Sequence, residues 1–172
     1  KRLEEAGVDI FNAPPPTAAW VSMNLAKGLT QELAVRKAIS LAMNREAIVS
    51  ELLLGYGVLS YGGTPEGWPR YHEEFQPDPY DLEEAGRILD EAGWVKGSGG
   101  IREKDGQRMA FTMYGISGDN IAVQSLQAMQ EYWKAVGVEM TPSPEPFQQL
   151  VSRITETFDF EIFLVGFSWD AT

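Results

Sequence analysis

The 172-residue sequence contains no cysteine and only one histidine, His72. The first absence excludes disulfides, thiol nucleophiles and cysteine zinc sites together. Basic residues are also few. Fourteen Lys and Arg stand against 25 Asp and Glu, a net charge of −11. That balance argues against nucleic-acid binding, because phosphate contacts need clustered cations. No apolar run approaches the roughly 20 residues that span a bilayer. The opening stretch KRLEEAGVDIF lacks the apolar middle of a signal peptide. It reads as the interior of a longer protein.

What is present suits one globular domain with a sizeable core: 44% hydrophobic and 23% charged residues. KRLEEAG reads as a helix end closed by Gly7, and AWVSMNL alternates as a strand should. A helical block follows, with Leu33, Ala34, Ala38, Leu41 and Ala42 predicted on one face. A break near Met43-Asn44 leads to a second stripe of Ile48, Val49, Leu52 and Leu53, with Gly55 as the stop. Residues 55–80 form a long segment rich in Gly, Pro and aromatics, expected to be an ordered excursion over the body.

Asp81 and Glu84 are spaced as a capping box for a helix ending at Gly93, with Trp94 folding back on it. Asp105-Gly106 predicts a tight hairpin. Asp119 caps a long helix whose buried face carries Leu126, Met129, Trp133 and Val136. VEMTPSPEP, with two internal prolines, reads as an edge strand, and Pro146 is expected in the first turn of a short helix. The run Phe160–Phe167 reads as a buried strand. Helices and strands alternate, so the expected class is α/β, a mixed sheet flanked by helices.

Catalytic and metal patterns fail on inspection. Gly166-Phe167-Ser168-Trp169-Asp170 comes near the G-x-S-x-G nucleophile elbow, but the second glycine is Asp170 and no helix follows. GSGGIREKDG has Gly and Ser where a calcium loop needs carboxylates. His72 with Glu73 and Glu74 makes a poor metal shell. Asp159 and Glu161 read as solubilising charges at the start of the last strand. No enzyme activity, cofactor or metal is expected. Among the five tryptophans, Trp94 and Trp133 have core explanations; Trp20, Trp68 and Trp169 suit either packing or stacking on a ligand.

Four blocks in order carry a family resemblance: LAVRKAISLAMNREAIVSELLLGYG, PYDLEEAGRILDEAGW, GGIREKDGQRMAFTMY and FDFEIFLVGFSWD. Together they resemble the C-terminal lobe of the peptide/oligopeptide class (family 5) of solute-binding proteins that serve ABC importers. The resemblance implies that residues 1–172 form one ligand-binding lobe of a two-lobed, class II periplasmic-binding-protein-like fold, with the other lobe missing. It implies a periplasmic or extracytoplasmic monomer, anchored as a lipoprotein in some settings, that hands solute to ABC permease subunits. The ligand implied is a di- or oligopeptide. The alternatives are an oligosaccharide, such as a cello-oligosaccharide, or an interaction domain that has lost transport.

In that family a strand ends in Gly-Trp-x-x-Asp, and the aspartate binds the free amino group of a peptide. Asp170 matches the aspartate, while Phe167 replaces the tryptophan. Leu164 stands where some members carry a carboxylate-binding arginine. With Trp169 beside the aspartate, and Tyr61 or Trp68 at the cleft rim, these residues make up the expected ligand site.

Overall fold

The computed structural model describes residues 17–60 and 78–168, together with Glu5 and Gly7. The first described strand is β1 (Thr17–Met23). A short turn of 3-10 helix over Leu29–Gln31 leads into α1 (Leu33–Leu41). Val35, Ala38, Ile39 and Ala42 of this region are fully buried, spaced as one helical stripe should be. Leu33, predicted on that face, is 55% exposed. It opens the helix and sits two residues before the true stripe begins.

The break falls where expected. Asn44 caps α2 (Arg45–Ala47), accepting the Ala47 N–H at 2.9 Å, and a π turn continues over Ile48–Leu52. Asp81 likewise accepts the Glu84 N–H at 2.9 Å and starts α3 (Leu82–Glu91). Only that half of the predicted capping box forms. The Asp81 N–H goes to the Leu41 carbonyl, and the Glu84 carboxylate turns to Arg87.

A small three-stranded sheet follows: β2 (Val95–Lys96), β3 (Arg102–Lys104) and β4 (Gln107–Arg108). Asp105 and Gly106, both at positive φ, make the two-residue turn between β3 and β4. Arg102 is the surprise of this segment. It is only 2% exposed, and its guanidinium donates to the carbonyls of Val136 (2.8 Å), Gly86 (3.2 Å) and Trp94, and to the Asp90 carboxylate.

The main sheet is completed by β5 (Ala110–Ile116), helix α4 (Asn120–Ala135), β6 (Glu139–Glu145), helix α5 (Phe147–Ser152) with a π turn over Arg153–Thr157, and β7 (Ile162–Ser168). Pro146 precedes α5 as its N-cap, one position earlier than predicted. The strand order is β1-β7-β5-β6. β5 is parallel to both neighbours and β1 is antiparallel to β7. The α/β class with a mixed sheet is therefore observed. β6 lies at an edge, where Pro142 and Pro144 cost no interior ladder bonds.

The two faces of this sheet are unequal. Ile162 and Leu164 join Phe111, Met113, Leu126 and Trp133 in the larger core. Phe163 and Val165 point the other way, into a small cluster with Leu150. Trp133 is fully buried and satisfies its indole N–H on the Ile39 carbonyl at 3.0 Å.

Gly137 closes α4 at φ 87, and its carbonyl accepts the Arg102 N–H at 2.7 Å. A Cβ there would stand 2.8 Å from Arg102 Cγ and 2.9 Å from the Gly100 carbonyl oxygen. Gly137→Ala should therefore destabilise the fold by about 2 kcal/mol, combining left-handed strain with the clash. A thermal melt checks this; an unchanged midpoint would contradict it.

Candidate ligand site

Connectivity singles out one end of the main sheet. From β5 the chain crosses the large-core face through α4 to β6. It returns through α5 on the opposite face and enters β7 on the other side of β5. Strand order thus reverses at β5. In open α/β sheets ligands sit beyond the carboxyl ends of the strands at such a reversal. That edge comprises residues 116–121, 145–147 and 166–168.

Phe167 stands there. Ile162 to Val165 are buried, but Gly166 and Phe167 emerge, and Phe167 is 50% exposed. The predicted buried strand is therefore covered only in its first part. The alternation of β7 puts Phe163, Val165 and Phe167 on one face, and the Leu150 cluster of α5 takes in only the first two. Phe167 is not isolated. Its ring lies 4.9 Å from that of Trp20, tilted by 47°, on the neighbouring strand. Trp20 is half-buried and pairs with Val165 in the ladder, so both rings share that face. The other predicted site residues, Tyr61, Trp68, Trp169 and Asp170, lie outside the described residues, as does His72.

At the end of β6 the chemistry is charged but internally matched. Glu145 is buried and receives Arg153 bidentately, Nε at 2.8 Å and Nη2 at 3.1 Å. The guanidinium also lies 4.0 Å over the Tyr114 ring. The Glu145 hydrogen bond pushes the Arg153 pKa up, so this cation stays charged and engaged. Arg153 further reaches Asp159, which Lys27 also pairs. Lys27 first, and Arg153 with it, hold the Asp159 carboxyl below its ordinary range.

Glu161 does more than solubilise the strand. Its carboxylate accepts the Leu29 N–H at 2.8 Å and lies over Gly28, where a Cβ would approach within 2.0 Å. These acids staple loop 24–32 to the start of β7. Glu161 sits at the start of β7, the end away from Phe167, while Asp159 also reaches Arg153 and through it Glu145.

Two edge residues carried no signal in the sequence reading. Ile121, in the first turn of α4, is 50% exposed, and Phe147, which opens α5, is 53% exposed. Phe147 directly follows the cap Pro146 and Ile121 is second after the cap Asp119; both lie off the buried stripe of their helix. Among the described residues no group of His, Asp or Glu is arranged to hold a metal ion. No helix among them is long and apolar enough to cross a membrane.

The sequence profile of the bacterial extracellular solute-binding proteins, family 5 Middle, matches residues 1–172. The chain belongs to this family. Protein XP55 of Streptomyces lividans is 42% identical to it over 120 residues, covering 70% of this chain and 22% of that protein. The oligopeptide-binding protein AppA of Bacillus subtilis is 29% identical over 154 residues, 87% of this chain and 28% of AppA. Among solved structures, the periplasmic oligopeptide-binding protein of Thermotoga maritima superposes with a TM-score of 0.83 at 22% identity. That match covers 99% of this chain and 35% of the other. A second structure of that protein, with mannohexaose bound, gives 0.79 at 23% identity, covering 90% and 30%. At these identities the structures establish the family 5 fold. The chain spans 22%, 28% and 35% of the three relatives, so it corresponds to a portion of a family 5 protein.

Proposed function

We propose that residues 1–172 are one lobe of an extracytoplasmic solute receptor that binds di- or oligopeptides for an ABC importer. Binding without catalysis is the role assigned to it. The observation that carries the reading is Phe167, half exposed and braced by Trp20 at the reversal point of the sheet. An exposed ring held rigid at a strand end is a platform for a ligand. AppA, named for oligopeptide binding, adds weight to peptide as the solute.

Thr17 and Ser168 are register partners, so the start of β1 and the end of β7 lie side by side. That suits a lobe tied to its counterpart by two adjacent crossings. The cleft is then completed by the other lobe. Asp170 would meet the ligand ammonium just beyond Phe167 and Trp169, with Tyr61 or Trp68 at the rim. The permease subunits of the importer are the expected partners of the closed, monomeric receptor, with or without a lipoprotein anchor.

Calorimetric titration of the full-length protein with short peptides and with cello-oligosaccharides tests the reading. Saturable peptide binding is expected. Tight binding of oligosaccharide alone would replace peptide by sugar; binding of neither would favour an interaction domain.

A further inference from the structure

Three large apolar side chains stand half exposed along the carboxyl edge of the main sheet, one at each parallel strand. Phe167 is the last residue but one of β7, Ile121 lies in the first turn of α4, which follows β5, and Phe147 opens α5, which follows β6. Their order follows the strands β7, β5, β6, from the side where Thr17 and Ser168 pair to the far edge of the sheet. Neighbouring strands are about 4.8 Å apart, so the carboxyl ends of β7 and β6 lie about 10 Å apart, with Phe167 and Phe147 toward the α5 face and Ile121, on α4, toward the large-core face.

Charge does not explain this strip. Residues 116–121, 145–147 and 166–168 include no Lys, Arg or His. Glu145 is neutralised by Arg153, and Asp119 spends one carboxylate oxygen on the N–H groups of Ile121 and Ala122. Beside the polar Ser117, Asn120 and Asp119, the large exposed side chains of this edge are hydrocarbon, which gains by being covered with hydrocarbon. An extended chain rises about 3.3 Å per residue, so covering about 10 Å takes about three residues. A compact solute would leave the Phe147 end bare.

We propose that Ile121 and Phe147 are specificity-determining residues that take apolar side chains of an extended peptide at least three residues long. The inference rests on the peptide-binding reading above. The test is calorimetry on the full-length protein with tri-leucine, tri-serine and di-leucine. Tri-leucine should bind about tenfold tighter than tri-serine, the worth of covering one or two half-exposed side chains. Phe147→Ser and Ile121→Ser should each weaken tri-leucine about five- to tenfold and leave tri-serine nearly unchanged. For di-leucine, which cannot reach the far edge, Phe147→Ser should have little effect. Phe147→Leu should restore most of the loss.

An equal loss for all three peptides would overturn the proposal, because Phe147 would then meet the opposing lobe instead of the ligand. So would equal affinity of the unmodified protein for tri-leucine and tri-serine, although peptide binding itself would stand. If no peptide binds while a cello-oligosaccharide does, the peptide reading fails and this inference with it.

Discussion

Replacing Arg102 by methionine should destabilise the protein by about 3–5 kcal/mol. The side chain is buried and fills its site with donors, so the loss is not one of surface charge. Methionine keeps much of the aliphatic volume but donates nothing. The carbonyls of Trp94, Val136 and Gly86 then lose a hydrogen-bond donor in a dry setting. Each such group costs roughly 1–3 kcal/mol. Water reaching some of them keeps the sum below the maximum.

The Asp90 partner matters less, because its side chain is 64% exposed and can return to water. Lysine should rescue little, since one ammonium cannot reproduce the forked geometry that reaches several carbonyls. Urea melts of Arg102→Met and Arg102→Lys measure both effects. A loss below about 1 kcal/mol for the methionine variant would mean that water replaces the guanidinium without difficulty.

The second large effect is expected on binding. Asp170→Asn in the full-length protein keeps the shape of the side chain and removes its charge. If Asp170 pairs with a peptide ammonium in a closed cleft, the change strands a buried cation and affinity should fall by about 3–5 kcal/mol. If the ligand is a sugar, asparagine still hydrogen-bonds to hydroxyls and the loss should stay near 1 kcal/mol. Titration with one peptide carrying a free amino terminus and its acetylated form separates these cases. Acetylation and Asp170→Asn should not add, because both remove the same pair. Unchanged affinity in Asp170→Asn would put the residue outside the site.

Local signals in the sequence served well wherever neighbours along the chain decide the structure. The Asp119 cap, the stripe of Leu126, Met129 and Trp133, and the Asp105-Gly106 turn all depend on residues within a turn or two. The two prolines of β6 correctly marked an edge. What stayed hidden depends on distant partners. Arg102 sits in a run of charges that resembles an exposed hairpin, and its burial is set by Val136, 34 positions away. Glu161 holds the N–H of Leu29 across 132 positions, which no periodicity announces.

The candidate site divides the same way. Phe167 was named only through the family resemblance, since the run Phe160–Phe167 itself read as buried; its exposure follows from how little of that face the Leu150 cluster of α5 covers. Ile121 and Phe147 become visible only when strand order brings three separate carboxyl ends to one edge. Before that, each is one more apolar residue near a helix start.

The account rests on the claim that this chain is one half of a ligand cleft. Calorimetry with the same peptide on the 172-residue chain alone and on the full-length protein tests it most directly. A competent pocket buries about 70–90% of its ligand, and one lobe can enclose only part of that surface. The isolated chain should unfold cooperatively yet bind weakly, with an affinity at least about a hundredfold below that of the full-length protein, a difference of about 2.7 kcal/mol or more. Equal, tight binding by both would contradict the account, because the site would then be complete within these residues.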